Sequence, residues 1–186
     1  GRYLVGTPRL VQRLERQKAD VVKISPHSDC GQEGSVGNAD GYADSDHAGC
    51  LRTRCSTSSA VLMHGKHYIR MLCSTQKPVS LSSGESEWNA LVRCERALIG
   101  FRNMAEDLGR KLSPRLMTDS SAAKGIGSRR GSGRVRHLDT TTLWLQRLIT
   151  DRSIRIYKVL GDDNPADLGT KQIEQATMNK HLAKLG

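Results

Sequence analysis

At 186 residues the chain is long enough for one domain with a substantial core, and 29 Lys plus Arg against 19 Asp plus Glu leave a net charge of +10. That balance favours a polyanionic partner, nucleic acid before an anionic membrane surface. No run of roughly 18 apolar residues occurs, which excludes a spanning helix and any partnership of that kind with a membrane.

Only one Phe, two Trp and four Tyr are present, so the core has to be mainly aliphatic. The five cysteines are Cys30, Cys50, Cys55, Cys73 and Cys94, an odd number without a C-x-x-C pair. They argue against a disulfide framework and for a reducing, intracellular compartment. His47, Cys50 and Cys55 have no fourth ligand at a spacing usable for zinc. The chain begins with Gly1 and shows no signal peptide, as expected of a piece of something longer.

Residues 1–14 (GRYLVGTPRLVQRL) read as a helix end, a turn at Gly6-Thr7-Pro8 and a short apolar stretch. Asp20–Ser25 reads as an edge strand, and Cys30–Asn38 as a Gly/Ser-rich linker. Gly41-Tyr42-Ala43 leads into Asp44 as a short strand that Asp44 ends. Two apolar runs, Ser58–His64 and His67–Ser74, flank Gly65-Lys66, which is a two-residue hairpin signal. A helix is predicted from about Gly84 to Leu108, closed by Gly109. Leu116-Met117-Thr118 is a brief strand, and Asp119-Ser120-Ser121 offers a helix cap after it. His137–Ile149 reads as a helix and Ser153–Leu160 as a strand; Pro165 then opens a last helix. The order β-β-β-α-β-α-α-β-α predicts an α/β fold, a mixed sheet covered by helices.

The stretch NADGYADSDHAGC (Asn38–Cys50) concentrates Asp40, Asp44 and Asp46 in a basic chain. Acids at such positions have plain readings: Asp44 as a turn former, Asp119 as an N-cap, Asp167 as a solvated acid one turn into a helix. The long helix adds a sharper observation. Glu87, Leu91, Cys94, Leu98, Phe101, Ala105 and Leu108 alternate at spacings of four and three, so one face carries six apolar side chains and a single acid. An unpaired carboxylate on that stripe is costly to desolvate, so Glu87 sits at the rim, or is paired, or binds a cation. Glu85 points elsewhere and has the ordinary first-turn role of matching the helix dipole. In an open α/β sheet, strand C-terminal ends and the following helix starts gather at one edge. Four hard oxygen donors there, Asp44, Glu87, Asp119 and Asp167, suit Mg²⁺ or Mn²⁺.

The segments YADSDHAG, STSSAVLMHG, LSSGESEWNAL, LMTDSSAAKGI, RVRHLDTTTLWLQ and NPADLGTK occur in that order. Together they resemble the ribonuclease H domain of Ty1/copia-type LTR-retrotransposon (Pseudoviridae) Pol polyproteins. The leading RYLVGTPRL resembles the end of the reverse-transcriptase connection that precedes that domain. The resemblance implies a ribonuclease-H-like fold with a five-stranded mixed β-sheet flanked by α-helices. It implies residues 1–38 as connection end and linker, 39–175 as the ribonuclease H domain and 176–186 as a C-terminal tail. It further implies cleavage of the RNA strand of RNA–DNA hybrids, leaving 3′-hydroxyl and 5′-phosphate ends, with two Mg²⁺ ions (Mn²⁺ as a substitute) as cofactor. Asp44, Glu87, Asp119 and Asp167 match the catalytic, metal-binding acids, and Asp46 a supporting aspartate behind them. The implied partners are the hybrid and the upstream reverse transcriptase, and the implied setting is cytoplasmic, within virus-like particles.

Ser128–Arg136 (SRRGSGRVR) carries Arg129, Arg130, Arg134 and Arg136 among glycines, and reads as a solvated loop or as a clamp on phosphates. His137 and Lys171 complete the expected nucleic-acid-binding set. The chain departs from the family pattern at Gly161-Asp162-Asp163, where many cellular ribonucleases H have a histidine, and at His47, often Trp in copia elements. Two other readings use the same residues: a catalytically inactive connection domain that supports a polymerase and grips the template, and a DNA-directed two-metal nuclease of integrase or resolvase type.

Overall fold

A computed structural model describes residues 37–130 and 140–185. The connection end, the Asp20–Ser25 strand, most of the linker, and Arg134, Arg136 and His137 lie outside the described residues.

Five strands form one sheet: β1 (Gly37–Asp46), β2 (Thr57–His64), β3 (His67–Thr75), β4 (Leu112–Thr118) and β5 (Arg155–Lys158). Their order across the sheet is β3-β2-β1-β4-β5. β2 runs antiparallel to β1 and β3, whereas β4 runs parallel to β1 and to β5. Among the described residues there are also four helices: α1 (Ser83–Asp107), α2 (Ser121–Ser128), α3 (Thr140–Thr150) and α4 (Gln175–Leu185). This is the ribonuclease-H-like arrangement, in the predicted element order as far as β5.

The hairpin forms where expected, with Gly65 at φ +58°, a backbone region that suits glycine. Ser82 caps α1 by accepting from the Glu85 amide at 3.2 Å, and Glu85 Oε2 accepts in turn from the Leu81 amide at 2.9 Å. Glu85 is therefore a buried capping residue rather than an exposed acid in the helix-dipole field. Leu91, Cys94 and Leu98 press on Ala39, Ala43, Ala60, Leu62 and Leu116 of the sheet. Each such buried leucine contributes roughly 1.5–3 kcal/mol. Gly41 permits the close approach of α1 to β1, since a Cβ there would lie 2.6 Å from Cys94 Sγ. Leu108 falls off the predicted stripe: it is the C-cap and 74 % exposed.

Alternate residues of β2 divide the core in two, as the pleat requires. Ala60 and Leu62 face α1, while Val61 and Met63 pack with Ala166, Tyr42, Tyr68, Met71 and Leu185 on the other face. A 3-10 turn (Pro165–Gly169) followed by α4 covers that second face. The helix expected at Pro165 is thus this short turn, and residues 176–185, read as tail, belong to α4. Its polar composition hides the docking, which rests on buried Met178 and His181 and on charge. Lys180 pairs with Asp163 at 2.8 Å, and Lys184 donates to the Asp163 carbonyl at 2.7 Å while lying 4.8 Å from the Tyr42 ring centroid. β1 extends two residues past Asp44, and β4 starts four residues before Leu116.

Glu95, on α1, is fully buried, and neither carboxylate oxygen has a hydrogen-bond partner among the described residues. Burial pushes its carboxyl up to about 8, above the 4.5 of an ordinary glutamate, with the nearby Arg102 charge opposing. The folded state therefore holds a proton that the unfolded state has released. Stability from this group is complete below about pH 4.5 and drains away as pH rises to about 8. Glu95→Gln should melt like the parent at pH 5 and progressively higher than it towards pH 8, by on the order of a few kcal/mol. Thermal melts of both proteins across that range check this, and parallel curves would contradict it.

Candidate active site

β1 and β4 are parallel neighbours, so their C-terminal ends lie side by side. Asp44 sits near the end of β1, fully buried, opposite Ser59 of β2. Asp119 follows Thr118, the last residue of β4. Ser120, not Asp119, caps α2 by accepting from the Ala123 amide at 3.1 Å, which leaves Asp119 out of the cap. Asp167 comes from the 3-10 turn. Carboxylate oxygens of Asp44, Asp119 and Asp167 all lie within 4.8 Å of one another.

Glu87 stands beside this trio on the first turns of α1, half-buried, with Oε2 buried and lacking a hydrogen-bond partner. Burial pushes its carboxyl up to about 8; the charges of Asp44 and Asp119 add to the shift, and the Ser45 backbone amide opposes it. Asp44 is pushed up to about 6 by burial, against a hydrogen bond from Thr170, with the Asp167 charge adding. Asp167 is also raised, by burial first, although Lys171 counteracts this. Converging acids whose protonation is favoured by crowding and burial, one with an orphaned buried oxygen, fit an oxygen-ligated divalent cation.

Residues without an obvious sequence signal hold this arrangement. Asn164 is fully buried; its Nδ2 donates to the Ala43 carbonyl at 3.0 Å and its Oδ1 accepts from the Ala166 amide at 3.2 Å. One side chain thus fastens the turn carrying Asp167 to the strand carrying Asp44. Thr170 Oγ1 donates to Asp44 Oδ2. Gly169 lets the turn lie against β2 and β3, because a Cβ there would meet Ser59 Oγ at 2.5 Å and Met71 Cε at 2.8 Å. Only the Asn-Pro pair, a turn opener, hinted at this in the sequence.

The other aspartates of the first strand and the remaining expected residues have partners or positions of their own. Asp46 accepts a hydrogen bond from the Thr57 amide and lies against Gly49, which ties the ends of the β1–β2 connection. Asp40 forms a two-pronged pair with Arg115 across the β1–β4 register, at 2.6 and 2.7 Å. Arg129 is half-buried and Arg130 exposed, directly after α2. Lys171, expected on nucleic acid, lies between Asp44 and Asp167. The four described cysteines, Cys50, Cys55, Cys73 and Cys94, are free. No helix among the described residues is long and apolar enough to cross a membrane.

No protein-family model matches the chain. Over 135 residues, 72 % of its length, it is 27 % identical to the Retrovirus-related Pol polyprotein from transposon TNT 1-94 of Nicotiana tabacum. The chain spans about a tenth of that relative's length (10 %). This similarity bears out the resemblance to a retrotransposon Pol polyprotein. Among solved structures it is similar to RNase H1 from Halobacterium salinarum, at 17 % identity, 72 % of this chain, 94 % of that one and a TM-score of 0.45. It is also similar to LC11-RNase H1 isolated from compost, at 14 % identity, 79 % and 96 % coverage and a TM-score of 0.48. Prototype foamy virus protease-reverse transcriptase is similar at 12 % identity, with 87 % of this chain, 22 % of that one and a TM-score of 0.41.

The close approach at Gly169 is open to test. Gly169→Ala should push the 3-10 turn off the sheet and cost about 1–3 kcal/mol. Adding Ser59→Gly removes the Cβ and hydroxyl that the new methyl meets, and should recover part of the loss. Chemical denaturation of the two variants measures both effects; an undiminished stability in the single variant would refute the packing argument.

Proposed function

We propose that this chain is a metal-dependent endonuclease that hydrolyses the RNA strand of RNA–DNA hybrids, as part of a polyprotein that also carries a reverse transcriptase. The observation that supports it most is the convergence of Asp44, Asp119 and Asp167 within 4.8 Å, with Glu87 alongside. In a chain of net charge +10, such an acid pocket has a ready use in holding cations against a phosphate backbone.

Asp44, Glu87, Asp119 and Asp167 would hold two Mg²⁺ or Mn²⁺ ions. When bound, the ions supply an activated water and stabilise charge on the leaving 3′-oxygen. The chain contributes rigidity: β1, β4, α1 and the Asn164-fastened turn each present one carboxylate, so little reorganisation is needed. Hybrid recognition would rest on A-form-like shape and 2′-hydroxyls, not on base sequence. Arg129 and Arg130 would contact phosphates from the end of α2. The connection-domain reading needs none of these acids together, and the integrase-like reading differs in taking a DNA duplex.

Incubation with labelled RNA–DNA hybrid, RNA duplex and DNA duplex separates the three. Cleavage of the hybrid alone, with Mg²⁺ or Mn²⁺ and not in EDTA or Ca²⁺, is the expected result; activity in EDTA would end the metal mechanism. Glu87→Gln should lower the initial rate by orders of magnitude with the circular dichroism spectrum unchanged. Glu85→Gln keeps an acceptor for the Leu81 amide, so it should cost only about 1 kcal/mol through the weaker cap and leave cleavage nearly intact. The reverse outcome would overturn the site assignment. Replacing Arg129 and Arg130 by Ala should flatten log affinity against log salt by up to about two charges' worth; an unaltered slope removes them from the interface.

A further inference from the structure

Lys171 reaches into the acid cluster. Its Nζ lies 3.2 Å from Asp44 Oδ1 and 3.0 Å from Asp167 Oδ1, while the other Asp44 oxygen accepts from Thr170. The Lys171 amide also donates to the Asp167 carbonyl at 3.0 Å, which fixes the backbone of this residue to the turn. Among the described ion pairs, those of Asp44 and Asp167 both come from this one ammonium. Its side chain is 42 % exposed, so the aliphatic stem has room to swing out while its backbone stays anchored.

The two oxygens that bind the ammonium belong to the same carboxylates that would ligate a cation. An ammonium and a divalent ion cannot both sit at contact distance from these oxygens without strong mutual repulsion. We propose that Lys171 is a placeholder cation: its ammonium occupies the Asp44–Asp167 edge in the metal-free protein and is exchanged for a divalent ion on loading. The displaced ammonium, still tethered beside Thr170, then stands at the mouth of the site as a positive charge available to a phosphodiester. Lys171 is a positioning residue on this account, acting through the two aspartates. The proposal rests on the metal reading given above, and the test separates the two.

The first measurement follows the Lys171 ammonium resonance by NMR in the unmodified protein, with side-chain carboxyl signals of Asp44, Asp119 and Asp167 monitored in parallel. Saturating Mg²⁺ should shift the aspartate signals and release the Lys171 ammonium from protection against hydrogen exchange. Shifted aspartates with a Lys171 signal that stays protected would overturn the placeholder and leave the metal site standing. No aspartate response at any Mg²⁺ concentration would overturn both. The second measurement uses Lys171→Met, which keeps length and removes charge. Calorimetric titration with Mn²⁺, without substrate, should show affinity rising by roughly tenfold, as expected for one like charge removed from the site. The metal-free melting temperature should fall at the same time. Equal or weaker Mn²⁺ binding in the folded variant would overturn the exchange; if the variant fails to fold, the NMR result on the parent decides.

Discussion

Burying several carboxylates side by side costs free energy twice, through lost hydration and through mutual repulsion. The rest of this structure is arranged around that cost. Asp44 cannot leave, because it lies in the central strand between β2 and β4. Asp119 cannot leave, because β4 pairs in parallel with β1. Asp167 is brought in by a turn that Asn164 fastens to Ala43. The relief comes from Thr170, Lys171 and the partial protonation that burial favours. A rigid scaffold thus keeps acids where they repel, a pattern common where charge is needed for binding rather than for stability.

Two thin cores support this edge. The one under α1 is mainly aliphatic and contains the glycine contact at Gly41 that brings helix and sheet together. The one under the 3-10 turn is smaller and aromatic-sulfur in character, with Tyr42, Tyr68, Met63 and Met71. Each presents one acid to the site from its own side: Glu87 from the first, Asp167 from the second. The two faces of β2 therefore meet functionally at the strand ends.

The element order was legible because each signal is local. A Gly-Lys pair between apolar runs, a four-three stripe and a Gly stop are properties of neighbouring residues, and β1–β5 and α1–α3 follow them. Glu87 was also legible, since one acid on an apolar stripe has few explanations. The extent of β1 was not, because the strand continues through polar Ser45 and Asp46 for reasons of pairing with Thr57 and Ser58. Glu85 shows the same limit: it reads as an ordinary first-turn acid, and burial by tertiary packing overrides that. The three aspartates of Asn38–Cys50 look alike in sequence yet pair with Arg115, join the acid cluster, and bind the Thr57 amide. Only long-range partners, invisible in a local pattern, tell them apart.

The clamp of the C-terminal turn on β1 also bears on the order in which the molecule is built. Gly65 closes the β2–β3 hairpin between adjacent residues, whereas Lys171 meets Asp44 across 127 positions. Loop-closure entropy places such a distant contact late in folding. A chain growing from the ribosome can therefore complete hairpin and α1 while its four acids are still apart. The cluster of Asp44, Asp119 and Asp167 exists only after the segment from Asn164 onward has emerged and docked. A chain that has not yet reached Asn164 thus carries Asp44, Glu87 and Asp119 without the carboxylate of Asp167 and the ammonium of Lys171 beside them.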